Sequence, residues 1–190
     1  MKLINFEGIA TTGKSTVETE LEKICEREGY SFKLYHEDDT VIPLMGEKTV
    51  SSSVAHLKKI IEQIKMDTTD VVVLDRFFLT HLKRTKGGLD EYAHFLEQFT
   101  ALHPTIIFLH IAEGAIKPRL EDAVARRHQR FADFINERGG VDTNVTKYIE
   151  EQRYLLNLLP TIGIPFTTFE TSDMQFTKIA QDIFDRYIKQ

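Results

Sequence analysis

Gly8 and Gly13 stand five positions apart and are followed at once by Lys14 and Ser15, the spacing of a loop that wraps phosphate. Each residue type answers a chemical need. Glycine reaches backbone angles closed to residues with a Cβ, so consecutive N–H groups along Thr11, Thr12 and Gly13 can turn inward around an anion. The helix expected from Thr16 to Glu28 adds its positive end at the same place. In such a loop Lys14 reaches the outer phosphates as a point charge, and the Ser15 hydroxyl ligates Mg²⁺. An ordinary glycine-punctuated turn would account for the glycines. It would not account for a lysine and a serine where phosphate and metal need them.

Other charged residues fall where chemistry is done. Asp75-Arg76 closes the unbroken apolar run Val71-Val72-Val73-Leu74, which fits a central parallel strand with a ligand site at its carboxyl end. Glu37-Asp38-Asp39 follows the alternating stretch from Ser31 to His36 and begins a loop containing Pro43 and Gly46. These acids form either a solvated turn or a wall facing substrate. Lys83, Arg84 and Lys86, with Gly87-Gly88, make a short basic loop. Arg119, Arg126, Arg127 and Arg130 lie in a helical stretch from Glu113 to Arg138. On one continuous helix Arg119, Arg126 and Arg130 share a face, and Arg127 lies about 100° from Arg126. That stripe is either a solvated face partnered by Glu121 and Asp122 or a clamp for phosphate. The seven histidines show no metal-ligand spacing. No Ser-His-Asp set rises above coincidence.

These groups need a frame. Lys2 to Phe6 reads as a strand entering the loop, and Val17, Leu21, Ile24 and Cys25 mark the buried face of the helix leaving it. Ser51, Ser52 and Ser53 offer caps for a helix with Val54, Leu57, Ile60, Ile61 and Ile64 inward. Tyr92, Phe95, Leu96 and Phe99 mark another helix, and Thr105 to Ile111 another strand. Gly139-Gly140 breaks the arginine-rich stretch before a helix from Thr143 to Leu159. Ile164 to Phe169 is a last strand, and Ser172 or Asp173 caps a terminal helix. Five strands alternating with helices imply a parallel sheet wrapped on both faces.

Composition narrows the function. The 190 residues, 42% hydrophobic, suit one domain with a sizeable core. A net charge of −5 argues against a general nucleic-acid or membrane-surface binder, which needs a broad basic face. Cys25 is the only cysteine, so no internal disulfide forms. With neither a signal peptide nor a bilayer-length apolar run, the expectation is a cytoplasmic protein.

The chain resembles the thymidylate kinase and deoxynucleoside kinase branch of the P-loop kinases over nearly its whole length. The resemblance rests on Phe6-Glu7-Gly8 running into Gly13-Lys14-Ser15-Thr16, on Asp75-Arg76 with Leu79-Thr80 and Gly87-Gly88, and on Arg119 through Arg130. It implies a single three-layer α/β domain over residues 1–190 with an arginine-rich lid at 113–140. It also implies ATP as donor, Mg²⁺, and transfer of the γ-phosphoryl group to a nucleoside or nucleoside monophosphate. Gly8, Thr11, Thr12, Gly13, Lys14, Ser15 and Thr16 would hold donor phosphates, Ser15 would ligate Mg²⁺, and Asp75 would help hold it through water. Arg76 would contact the acceptor. Arg119, Arg126, Arg127 and Arg130 would close over phosphate, and the loop at Ser172 would face adenine. One departure is clear: where thymidylate kinases carry an arginine for the acceptor's phosphate, this chain has Glu37-Asp38-Asp39. Glu37 suits the general base of a nucleoside kinase, whereas Arg76, Arg84 and Lys86 suit a monophosphate. The acids would also suit another small alcohol, such as a cofactor precursor or a cationic antibiotic. A nucleotide-dependent binding module is a remoter alternative, because the Asn-Lys-x-Asp segment of GTP switches is absent. Dimers are common in the resembled family, and no stretch here identifies an interface.

Overall fold

The computed structural model describes residues 1–44 and 46–189. One five-stranded parallel sheet carries the chain, with strand order β2-β3-β1-β4-β5. The strands are β1 (Lys2–Glu7), β2 (Phe32–Tyr35), β3 (Val71–Asp75), β4 (Thr105–His110) and β5 (Phe166–Glu170). All five residues of β3 are buried, as its unbroken apolar run predicts for a strand covered on both faces. Period-two alternation sends Val71 and Val73 to one face and Val72 and Leu74 to the other.

On the first face lie α1 (Lys14–Arg27) and α9 (Phe176–Ile183), meeting Ile4, Phe6, Ile107 and Leu109. The second face receives α3 (Val50–Lys65), α4 (Phe78–Thr85) and α5 (Ala93–Thr100) over Leu3, Ile106 and Phe108. Edge-to-face pairs tighten this side, with Phe77 centroids 5.8 Å from Phe95 and 5.2 Å from Phe99. Because α1 leaves β1 toward one face and α4 leaves β3 toward the other, a crevice opens between the carboxyl ends of these neighbouring strands. A third cluster joins α6 (Glu113–Arg126), α7 (Gln129–Glu137) and α8 (Gly140–Leu158) to Ile9 and Ile111. Among the described residues no helix is long and apolar enough to cross a membrane.

Several local expectations need correction. The acids after β2 form a short helix, α2 (Glu37–Thr40), because Asp39 accepts from the His36 N–H at 3.0 Å and closes a capping box. Thr49, not the serines at 51–53, caps α3 by accepting from Ser52 N at 3.2 Å. Lys83 and Arg84 belong to α4 rather than to a loop. The stretch from Glu113 to Arg138 is two helices, since Arg127 and His128 are extended, with ψ of 171° and 148°. Arg130 therefore does not share a continuous helical face with Arg119 and Arg126. At the end of the chain Gln175, not Ser172 or Asp173, precedes the terminal helix, and Met174 interposes a turn at φ 59°.

A buried polar relay fixes α2 against α3 and α4. The His81 Nε2 lies 2.7 Å from the Thr40 carbonyl, which can only accept, so Nε2 carries the proton. Nδ1 then accepts from the Ser53 hydroxyl at 2.6 Å, and Ser53 accepts from Tyr92 at 3.1 Å. Thr40 in turn donates to the Asp75 carbonyl at 2.7 Å. Burial, with the nearby Arg84 charge, pushes His81 down to about 4, despite the Thr40 carbonyl. A depressed histidine keeps its stabilising effect above pH 6.5 and loses it as pH falls toward 4, because the unfolded chain takes up the proton first. Denaturant unfolding between pH 7 and 4.5 should show the native protein losing about 1.4 kcal/mol per pH unit more than His81→Gln once pH is below 6. Parallel profiles would disprove a neutral buried His81.

Candidate active site

The phosphate-wrapping loop spans the turn from β1 into α1. At Gly8, φ is 144° and a Cβ would sit 2.3 Å from the Leu109 carbonyl oxygen. At Gly13, φ is 89° and a Cβ would strike the Phe176 ring at 2.3 Å. Glycine is required at both for conformation and for space. Among the described residues, the N–H groups of Thr11, Gly13, Lys14 and Ser15 donate no hydrogen bond. These donors, at the positive end of a 14-residue helix, form a cradle for an anion. The Thr12 hydroxyl braces the loop through the Ile9 carbonyl at 3.1 Å. Lys14 is 7% exposed, with its ammonium 3.4 Å from the Gly8 carbonyl. Burial and then Arg76 lower its pKa. The Ser15 and Thr16 side chains are exposed at the mouth of the loop.

Across the crevice, Glu7 organises the end of β3. Its carboxylate is fully buried and accepts from Phe77 N at 2.8 Å, Leu79 N at 3.1 Å and the Thr80 hydroxyl at 2.8 Å. Burial raises its pKa, with these bonds opposing. The turn it holds is strained, because Arg76 has φ 54°, kept there as its N–H donates to Phe6 at 2.9 Å. That conformation places Asp75 and Arg76 side by side in the crevice. Asp75 is 7% exposed and its Oδ1 has no hydrogen-bond partner. Burial raises its pKa, and Lys14 works the other way.

Glu37 comes from α2 to the same place, its Oε1 3.0 Å from the Arg76 Nε. This is a charge contact and not an aligned hydrogen bond, since the buried Nε donates none. Burial opposes the Arg76 charge, but Glu37, Glu151, Asp75 and Glu7 together outweigh it and raise its pKa. Arg84 is spent differently. It donates to the carbonyls of Val41 at 3.1 Å and Leu44 at 2.7 Å, and so ties down the segment after α2.

The arginines of α6 and α7 separate. Arg119 bridges Thr11 of the loop and Thr171 after β5, donating to each carbonyl at 2.8 Å, and its guanidinium stands 5.5 Å over the Phe176 ring. Ser172 accepts from Ala112 N at 2.9 Å. Arg126 is exposed and paired with Asp122, and Arg130 is exposed on α7. Arg127 stacks 4.8 Å over Phe131. Burial raises the pKa of Tyr148, with Arg138 opposing it and Glu151 adding to the rise. Lys14, Asp75, Arg76 and Glu37 thus converge, Arg119 joins loop to loop, and Arg126 and Arg130 stand outside.

Sequence reading missed Glu7 as a tether and Glu18 as a buried acid. The signal for Glu7 was an acid ending an apolar strand. A separate concavity lined by Val50, Val54, Ala55, Lys58 and Glu91 lies on α3, away from these groups. The Ser15 hydroxyl is a hard oxygen ligand that suits Mg²⁺, and the unpartnered Asp75 Oδ1 suits one of the several waters that Mg²⁺ keeps. Glu7→Ala should lower unfolding free energy by about 3 kcal/mol, because three donors lose their acceptor, whereas Glu7→Gln should lose far less. Equal losses in urea unfolding would show that this acceptor role is not what Glu7 supplies.

No family model and no curated protein matches the chain. Solved structures do. The YorR protein of Bacillus subtilis, in complex with phosphorylated GDP, is 19% identical, with 97% of this chain and 94% of that one covered and a TM-score of 0.66. Shikimate kinase from Acinetobacter baumannii, in complex with shikimate, is 14% identical, with 97% and 92% covered and a TM-score of 0.53. The likeness is one of architecture, and this chain has the three-layer α/β fold of the P-loop kinases.

Proposed function

We propose that this protein is a kinase that transfers the γ-phosphoryl group of ATP to a small acceptor of the nucleoside or nucleoside monophosphate class. The observation that carries this reading is the crevice between β1 and β3. One wall holds unspent backbone donors and Lys14, and the other holds Asp75, Arg76 and Glu37. A loop that only bound phosphate would have no use for the second wall. The fold neighbours are consistent with it, one solved with phosphorylated GDP and one with shikimate, both small ligands.

The loop amides, with Thr11, Thr12 and Gly13, would cradle the donor phosphates while Lys14 neutralises the outer ones. Ser15 and Asp75 would hold Mg²⁺, which would draw charge from the phosphates as transfer proceeds. Arg119 is already committed to Thr11 and Thr171 carbonyls. Its role is therefore at the base end of the donor, beside Phe176 and Ser172, rather than on the phosphates. Residues 113–140 would act as the lid, with the exposed Arg126, Arg127 and Arg130 moving in on closure.

The acceptor side supports two versions. Arg76 suits an anionic group and thus a monophosphate of the thymidylate-kinase type. Glu37, beside Arg76, suits a base that takes the proton of an attacking hydroxyl. ADP release with Mg²⁺-ATP across deoxynucleosides and their monophosphates should show acceptor-stimulated turnover with at least one. None with any of them would overturn the nucleotide reading. With a nucleoside acceptor, Glu37→Gln should lower kcat by about 100-fold or more. With a monophosphate acceptor, freeing Arg76 from Glu37 should instead lower KM and leave kcat nearly unchanged.

A further inference from the structure

Glu18 lies on α1 four residues beyond Lys14 and three beyond Ser15, one helical turn below the phosphate loop. It is 2% exposed, and its Oε1 has no hydrogen-bond partner. Val17, Leu21 and Ile24 supply the apolar packing of this helix, so the fold asks for no acid here. A buried carboxylate without a partner is destabilising, and the nearby helix N-terminus offsets only part of that. Asp75, at the end of β3, presents the same condition, with Oδ1 buried and unpartnered. Apart from burial itself, Asp75 is the neighbour that bears most on the Glu18 charge, ahead of Lys14, Glu37 and Arg76. Among the described residues no ion pair within 4.0 Å joins Lys14 to either acid. Two acids, each with one buried and unpartnered oxygen, therefore stand near one ammonium that is bonded only to the Gly8 carbonyl.

We propose that Glu18 and Asp75 together accept hydrogen bonds from the water ligands of the divalent cation that enters with the nucleotide, making Glu18 a positioning residue for that cation. The inference rests on the kinase reading above. Indirect contact suits Mg²⁺, which takes few protein ligands and keeps several of its waters. A hydrated Mg²⁺ needs acceptors for its waters, and an acid at that distance selects a cation that keeps them. Lys14 cannot serve, having only donors.

Mn²⁺ binding in the presence of ADP, followed by electron paramagnetic resonance, tests this, with ADP affinity in EDTA as the companion measurement. Glu18→Gln should weaken Mn²⁺ retention about tenfold or more and leave metal-free ADP affinity within about twofold. Its thermal midpoint should not fall, since the buried Glu18 Oε1 makes no hydrogen bond for the fold to lose. Glu18→Leu should show the same metal defect, which guards against a fault peculiar to the amide. Unchanged Mn²⁺ affinity in folded variants would overturn the proposal. So would an equal loss of metal-free ADP affinity, which would make Glu18 a counter-charge for Lys14. A native protein that binds ADP neither with nor without Mn²⁺ would instead overturn the nucleotide reading, and this inference with it.

Discussion

Three donors converge on the carboxylate of Glu7, and nearly everything at the crevice follows from that buried acceptor. Glu7 ends β1, so it is one residue from the phosphate loop, yet its partners all lie just past β3. Through it, the two walls of the crevice are held by one side chain. The N–H groups of Phe77 and Leu79 stand at the start of α4, where a helix leaves donors unsatisfied. An ordinary N-cap would have used a local Ser, Thr, Asp or Asn. Phe77 occupies that place, and the distant acid does the capping. The strained Arg76 backbone is tolerated because this tether and the Phe6 bond over-determine it.

Charge balance then sets what the crevice can receive. Lys14 and Arg76 bring two positive charges, while Glu7, Glu18, Glu37 and Asp75 bring four acidic groups, and most of these are buried. Only Glu7 has its bonds filled. Burial raises the pKa of Glu7, Glu18 and Asp75, so ionising them is costly as they stand; on the proposed kinase reading, the cation accompanying the nucleotide would offset that cost. A site that waited for phosphate alone would hold fewer acids. One that waited for a cation alone would not need Lys14 and Arg76.

The acidic segment after β2 shows how tertiary contacts give a local motif its meaning. As three consecutive acids, residues 37–39 could as well have been solvent-facing. Packed through Thr40 to Asp75 and His81, and braced by Arg84 on Val41 and Leu44, the segment has a fixed place beside Arg76. Glu37 thereby enters the crevice, while Asp39 is spent closing the capping box of its own helix.

Local chemistry was enough to find the phosphate loop, the five strands and the acid–arginine pair, because each is written in contiguous residues. Glycine spacing, period-two alternation and an apolar run ended by charge are physical rules that act over a few positions. The break at Arg127 and His128 was not readable that way. No proline or glycine marks it, and it arises because Ile135 of α7 and Leu120 of α6 must both reach the cluster around Ile9. The partners of Glu7, the commitment of Arg119 to Thr11 and Thr171, and the company of Glu18 were equally hidden. Each joins residues far apart in the chain, and only the order of strands in the sheet brings them within reach. Sequence alone therefore determined that this protein has a glycine-rich loop of phosphate-binding spacing on a parallel sheet. The tertiary structure decided which acids and arginines face it, since a hydrogen bond or a buried charge is defined by neighbours in space.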